Sequence, residues 1–69
     1  MYDEAITKYK KAIEIEPYNY KYYNDLGVVY IKQKKLQRAK EILLFAKNLK
    51  EDDENINYNL GLIENYVNE

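Results

Sequence analysis

Few residues in this sequence of 69 amino acids could perform chemistry, and most of them are acids. Histidine, cysteine, serine and tryptophan do not occur, and the one small hydroxyl side chain belongs to Thr7. A nucleophile would have no imidazole or thiol beside it, which excludes hydrolysis by a catalytic triad. Residues 51–54 are four adjacent acids; favourable interaction with a helix N-terminus explains them best, and Ca²⁺ binding is the alternative. We therefore predict no enzyme, cofactor or metal site.

A basic stretch in the middle of the chain could bind an anion. It comprises Lys32, Lys34, Lys35, Arg38 and Lys40, with no acid between them. A solvated edge is the preferred interpretation, because the stretch has no glycine-rich loop and no interleaved aromatic residues; a phosphate, an acidic peptide or RNA are the alternatives. The formal net charge of −1 also argues against nucleic acid and anionic membranes as partners.

Nine tyrosines supply almost all of the aromatic content. We expect Tyr23 and Tyr30 in the core. Half-exposed packing near a helix start is the expectation for Tyr18, Tyr20 and Tyr22, and stacking against a ligand is the alternative.

The chain is long enough for one small domain. It contains no cysteine, which fits a reducing compartment. The N-terminal residues lack the pattern of a signal peptide, and no apolar run approaches the ~20 residues of a membrane span. We predict a cytoplasmic location and no membrane partner. Because the first helical pattern starts at residue 2, we also expect the sequence to be part of a longer chain.

Helical periodicity predicts four helices, at about 2–15, 20–33, 36–49 and 54–67. Pro17 ends the first, and Asn19 and Asp53 are expected N-caps. Lys34 and Lys35 occupy positions where a glycine and an N-cap are usual, so the third helix should begin uncapped and fray, at a cost of about 1 kcal/mol. Short connections make consecutive helices antiparallel.

Several residues recur after 34 positions, a period typical of stacked supersecondary units. The recurring pairs are Ala5 and Ala39, Ala12 and Ala46, Leu26 and Leu60, and Gly27 and Gly61. Small residues at this period suit helices that cross closely.

The segment 23–30 resembles the first helix of a tetratricopeptide repeat, in which an aromatic residue, Leu-Gly and Tyr follow at fixed spacing. The match is carried by Tyr23, Leu26, Gly27 and Tyr30, and Ala39 with Leu43 is similar to the second helix of that repeat. The resemblance implies an all-α fold of antiparallel helix-turn-helix units in a right-handed superhelical stack. It divides the single domain 1–69 into a second-type helix of a partial repeat at 2–15, a complete repeat at 20–49, and a first-type or capping helix at 54–67.

The fourth helix carries two apolar stripes. Ile56, Leu60, Ile63 and Val67 should face the third helix. Tyr58, Leu62 and Tyr66 then lie elsewhere and form a candidate interface. Polar Asn57 and Glu64 stand where the second helix has Tyr23 and Tyr30, which indicates a solubilising end cap.

The resemblance also implies where a partner binds, since first-type helices of this family line a concave groove that holds a peptide or a helix. The corresponding residues are Lys21, Asn24, Val28, Ile31, Tyr58, Leu62 and Tyr66. The lysine and asparagine clamp with which some members grip acidic chaperone tails is missing, because Val28, Tyr58 and Leu62 hold three of its positions. We predict an interaction module, of scaffold or adaptor type, for a more apolar peptide or helix.

Self-association is the alternative function. The fourth helix of one copy and the first helix of the next could complete a repeat head to tail, or two copies could exchange helices. Asn57 and Glu64 on the facing surface argue against the head-to-tail form.

Overall fold

The computed structural model describes residues 1–67, which form four α-helices and no strand. Their bounds are α1 (Tyr2–Ile15), α2 (Tyr20–Lys32), α3 (Leu36–Leu49) and α4 (Glu54–Val67). α2 is central, because it packs against the other three helices, and α3 also packs against α4. The predicted all-α repeat architecture is confirmed.

Side-chain caps define the starts of α2 and α4. Asn19 Oδ1 accepts a hydrogen bond from the Lys21 amide at 3.0 Å, and Asp53 Oδ2 accepts one from the Ile56 amide at 3.0 Å. Both predicted N-caps are therefore confirmed. Each satisfies an amide that would otherwise lack a partner in the first helical turn.

The turn between α2 and α3 is closed by the backbone. Lys34 has a φ of 64°, in the left-handed region that favours glycine. Its amide donates to the Ile31 carbonyl and the Lys35 amide donates to the Tyr30 carbonyl, both at 2.9 Å, which is the Schellman pattern of a helix end. α2 consequently ends at Lys32, one residue before the prediction. α3 begins at Leu36 without a side-chain cap, as predicted.

The core forms where α1, α3 and α4 meet α2. Its largest fully buried side chains are Leu26, Leu43 and Ile56. Tyr23 and Tyr30 are 9% and 3% exposed, which confirms their predicted place in the core. The Tyr23 hydroxyl is satisfied by donating to the Pro17 carbonyl at 2.7 Å, so this buried polar group costs little and ties α2 to the turn before it.

α4 contributes its predicted apolar stripe to this core. Ile56 and Ile63 are 0% and 4% exposed, and Leu60 is half-buried against the same clusters. The side chain of Val67, the fourth predicted member, lies outside the described residues. Within residues 1–67, no helix has the length and apolar character needed to span a bilayer.

Candidate functional site

The residues predicted to bind a partner lie on α2 and α4, which pack against each other. Tyr58 is 68% exposed and Tyr66 is 37% exposed. Lys21 is exposed, and Asn24, Val28 and Leu62 are half-buried. We refer to the surface formed by Lys21, Asn24, Val28, Tyr58, Leu62 and Tyr66 as the α2–α4 face.

Ile31 is not on this surface. The sequence led us to expect it in the groove, but it is only 7% exposed and belongs to the core cluster that contains Ile63 of α4. Helical periodicity gives the direction of a side chain from its own helix, while the packing of a second helix decides whether that side chain is covered. Ile31 is therefore a core residue and is not available to a partner.

A hydrogen bond between two asparagines joins the two helices at this face. Asn59 Nδ2 donates to Asn24 Oδ1 at 2.9 Å, and Asn59 is 9% exposed. A buried amide without a partner would cost about 1–3 kcal/mol, so the bond favours one alignment of α2 against α4. Asn59 is not among the residues predicted from the sequence, although its position between Ile56 and Ile63 on the buried side of α4 is a signal that it faces another helix.

A lysine at the helix turn covers part of the aromatic stripe. Lys34 Nζ lies 5.1 Å from the centroid of the Tyr66 ring, a cation–π geometry. With exposed Lys21 on α2, the face combines an apolar and aromatic centre with basic groups. Asn24 adds a polar group, since its amide can still donate from Nδ2 while Oδ1 accepts from Asn59.

Two acids and one further base among the charged groups singled out in the sequence have structural partners. In the basic stretch, Arg38 Cζ lies 5.7 Å from the centroid of the Tyr30 ring. In the acidic run, Asp53 caps α4 and Asp52 pairs with Lys50 at 3.6 Å. No cluster of three or more potential ligands for a metal ion exists among residues 1–67.

Two titratable groups on α2 have altered pKa values. Partial burial raises the pKa of the Asp25 carboxyl, since desolvation penalises the charged form. The pKa of the Tyr22 hydroxyl is also raised, chiefly because it donates a hydrogen bond to Glu16 Oε2 at 3.2 Å and lies beside that negative charge.

Comparison with known proteins gives one match. Residues 1–34, which contain α1, α2 and the two residues after them, match a protein-family model described as TPR repeat. No curated protein and no solved structure matches the chain significantly. The matched range includes Tyr23, Leu26, Gly27 and Tyr30, the residues that carry the resemblance seen in the sequence.

Proposed function

Because the chain belongs to the tetratricopeptide repeat family, as its match over residues 1–34 shows, we infer that it is a protein–protein interaction module. We propose that its partner is a peptide or helix that lies on the α2–α4 face. The proposal includes a scaffold or adaptor role in the cytoplasm. The composition without cysteine supports that location.

The observation that carries this placement is the aromatic stripe on α4. Tyr58 is 68% exposed, and Leu62 and Tyr66 follow it at intervals of four residues on the same side of the helix. Covering large exposed side chains with a partner removes apolar surface from water and so favours binding. Tyrosine is also enriched among the residues that contribute most to binding free energies.

The chemistry of the face indicates the character of the ligand. Val28 and Leu62 are half-buried beside the exposed tyrosines, so apolar ligand side chains would find apolar contacts there. Lys21 is exposed, and the Lys34 ammonium lies over Tyr66. A ligand with apolar anchors and an acidic residue at one end suits this combination better than a wholly acidic tail.

The test uses peptides selected from a random library against the immobilised full chain, with affinity measured by fluorescence anisotropy. We expect Tyr58→Ala and Leu62→Ala each to weaken binding about 10-fold or more, as the loss of a central contact does. Tyr18→Ala is the matched control, because Tyr18 is 80% exposed but lies in the turn between α1 and α2. Unchanged affinity in both α4 variants would rule out this face as the binding site.

A further inference from the structure

α4 has a second uncovered side, away from the aromatic stripe. Together with α3 it forms a groove of about 840 Å³, which we call the α3–α4 groove. Its lining is mixed, with leucines, a glycine and charged side chains: Leu36, Lys40, Leu44, Lys47, Leu60, Gly61 and Glu64. Leu44 is 44% exposed, so the apolar part of the groove is open to water.

The complete repeat provides a template for what fits this groove. Gly27 of α2 and Gly61 of α4 are equivalent after a shift of 34 residues. A Cβ at Gly27 would lie 2.6 Å from Leu43 Cγ of α3, while a Cβ at Gly61 would have no atom of the described residues within 4 Å. Leu43 is flanked by Ala39 and Ala46, all three of them 0% exposed. The side of α4 around Gly61 therefore lacks the helix that α3 provides for α2.

Charge then discriminates between possible occupants. In the α2–α3 pair, the Arg38 guanidinium lies over Tyr30, and the residue equivalent to Tyr30 on α4 is exposed Glu64. An occupant with a basic residue in the place of Arg38 would meet a carboxylate of opposite charge. α1 of a second copy would instead bring Glu4, the equivalent of Arg38, towards Glu64. Two facing carboxylates repel, which disfavours α1 of a second copy as the occupant.

We propose that the α3–α4 groove binds an amphipathic helix of a partner protein. The sequence of this partner helix would begin with a basic residue followed directly by a small residue. A large aliphatic residue would come four positions after the small one, and a second small residue three positions after the aliphatic one. This is the pattern of Arg38, Ala39, Leu43 and Ala46. The aliphatic side chain would pack against Gly61, and the basic side chain would face Glu64. This site is separate from the α2–α4 face.

The probe is a fluorescent peptide with the sequence of residues 35–50, since this segment already fits the equivalent side of α2. We expect it to bind the full chain and to bind Gly61→Leu at least 10-fold more weakly, because the new side chain fills the floor of the groove. Asn55→Leu is the matched control, since it adds the same side chain to exposed α4 surface outside the groove lining. Circular dichroism of both variants checks that the helices are retained.

A charge exchange tests the orientation of the helix. The peptide with Arg38→Glu should bind the parent chain several-fold more weakly and should recover affinity for the Glu64→Lys chain. Tyr58→Ala should leave binding of the unaltered peptide unchanged, which separates this proposal from the proposed function.

Three results would overturn the proposal. The peptide could fail to bind at roughly 1 mM, a weak-affinity limit. It could bind Gly61→Leu as well as it binds the parent, which would indicate displacement of α3 from its own site on α2. Sedimentation without peptide could show an oligomer that Gly61→Leu abolishes, in which case the occupant is a second copy.

Discussion

Gly27 of α2 lies directly against Leu43 of α3. A Cβ atom added at Gly27 would be 2.6 Å from Leu43 Cγ and 2.8 Å from Leu43 Cδ2. Such distances are well inside van der Waals contact, so the two helices approach this closely only because one side chain is absent. At the equivalent glycine on α4, Gly61, an added Cβ would meet no atom of the described part of the chain within 4 Å. The two Leu-Gly pairs of the repeat, Leu26-Gly27 and Leu60-Gly61, thus lie in different environments.

We expect Gly27→Ala to destabilise the protein by up to about 2 kcal/mol. Overpacking against Leu43 costs about 1–3 kcal/mol and outweighs the better helix propensity of alanine, which is worth about 1 kcal/mol. Urea unfolding followed by circular dichroism measures the change. In a Leu43→Ala background the penalty should largely disappear, because the atoms that meet the new methyl group are gone. A penalty that persists there would contradict the contact.

Gly61→Ala should have the opposite effect. No atom of residues 1–67 lies within 4 Å of the new methyl group, so nothing offsets the better helix propensity of alanine, and we expect stability to rise by about 0.5–1 kcal/mol. The same urea titration measures it. A loss of stability would indicate that this side of α4 is covered in solution.

The left-handed conformation of Lys34 predicts a preference for glycine at this position. Lys34→Gly and Lys34→Ala both remove the ammonium group over Tyr66, but only alanine keeps a Cβ at a φ of 64°. We expect the glycine variant to be more stable than the alanine variant by about 1 kcal/mol in thermal unfolding. At Lys40, an exposed position inside α3, alanine should instead be more stable than glycine by about 1 kcal/mol. Equal stabilities at Lys34 would argue against the Schellman turn.

The bond between Asn24 and Asn59 should appear as a coupling energy. Asn24→Ala and Asn59→Ala each remove one partner and leave the other amide partly buried. The double variant should therefore be more stable than the sum of the two single effects suggests, by about 1 kcal/mol. A cycle between Asn24 and the exposed Asn48 of α3 is the control and should give additive effects. Additivity for Asn24 and Asn59 would mean that the bond is absent in solution.

Stability should depend on pH through Asp25. Its pKa is raised in the folded state by desolvation, so the folded protein holds this proton more tightly than the unfolded chain does. Protonated Asp25 therefore contributes to the free energy of unfolding. This contribution is fully present below the pKa of Asp25 in the unfolded chain and is lost as the pH rises through its pKa in the folded protein. Asp25→Asn, which stays neutral, should gain stability relative to the parent as the pH rises from about 3 to 7. Urea midpoints of both proteins across this range measure the difference, and a constant difference would contradict the shift.

Much of the local structure was predictable because it depends on neighbours in the sequence. The bounds of α1, α3 and α4, the caps at Asn19 and Asp53 and the uncapped start of α3 follow from apolar periodicity and short-range hydrogen bonds. The candidate site was less predictable. Tyr58 and Tyr66 keep the exposure that makes them candidates, and their role in binding stays a prediction.

The sequence by itself determined the helices, their caps and the period of 34 residues, since each results from interactions within a few residues or from recurrence along the chain. Only the tertiary structure decided which copy of a repeated feature is covered. Gly27 has Leu43 against it and Gly61 has open space, although both follow a leucine at the same point of a helix. Ile31 is buried and Asn59 has its partner in Asn24 because α4 packs against α2, and the neighbours that a side chain meets across helices are not encoded in its local pattern.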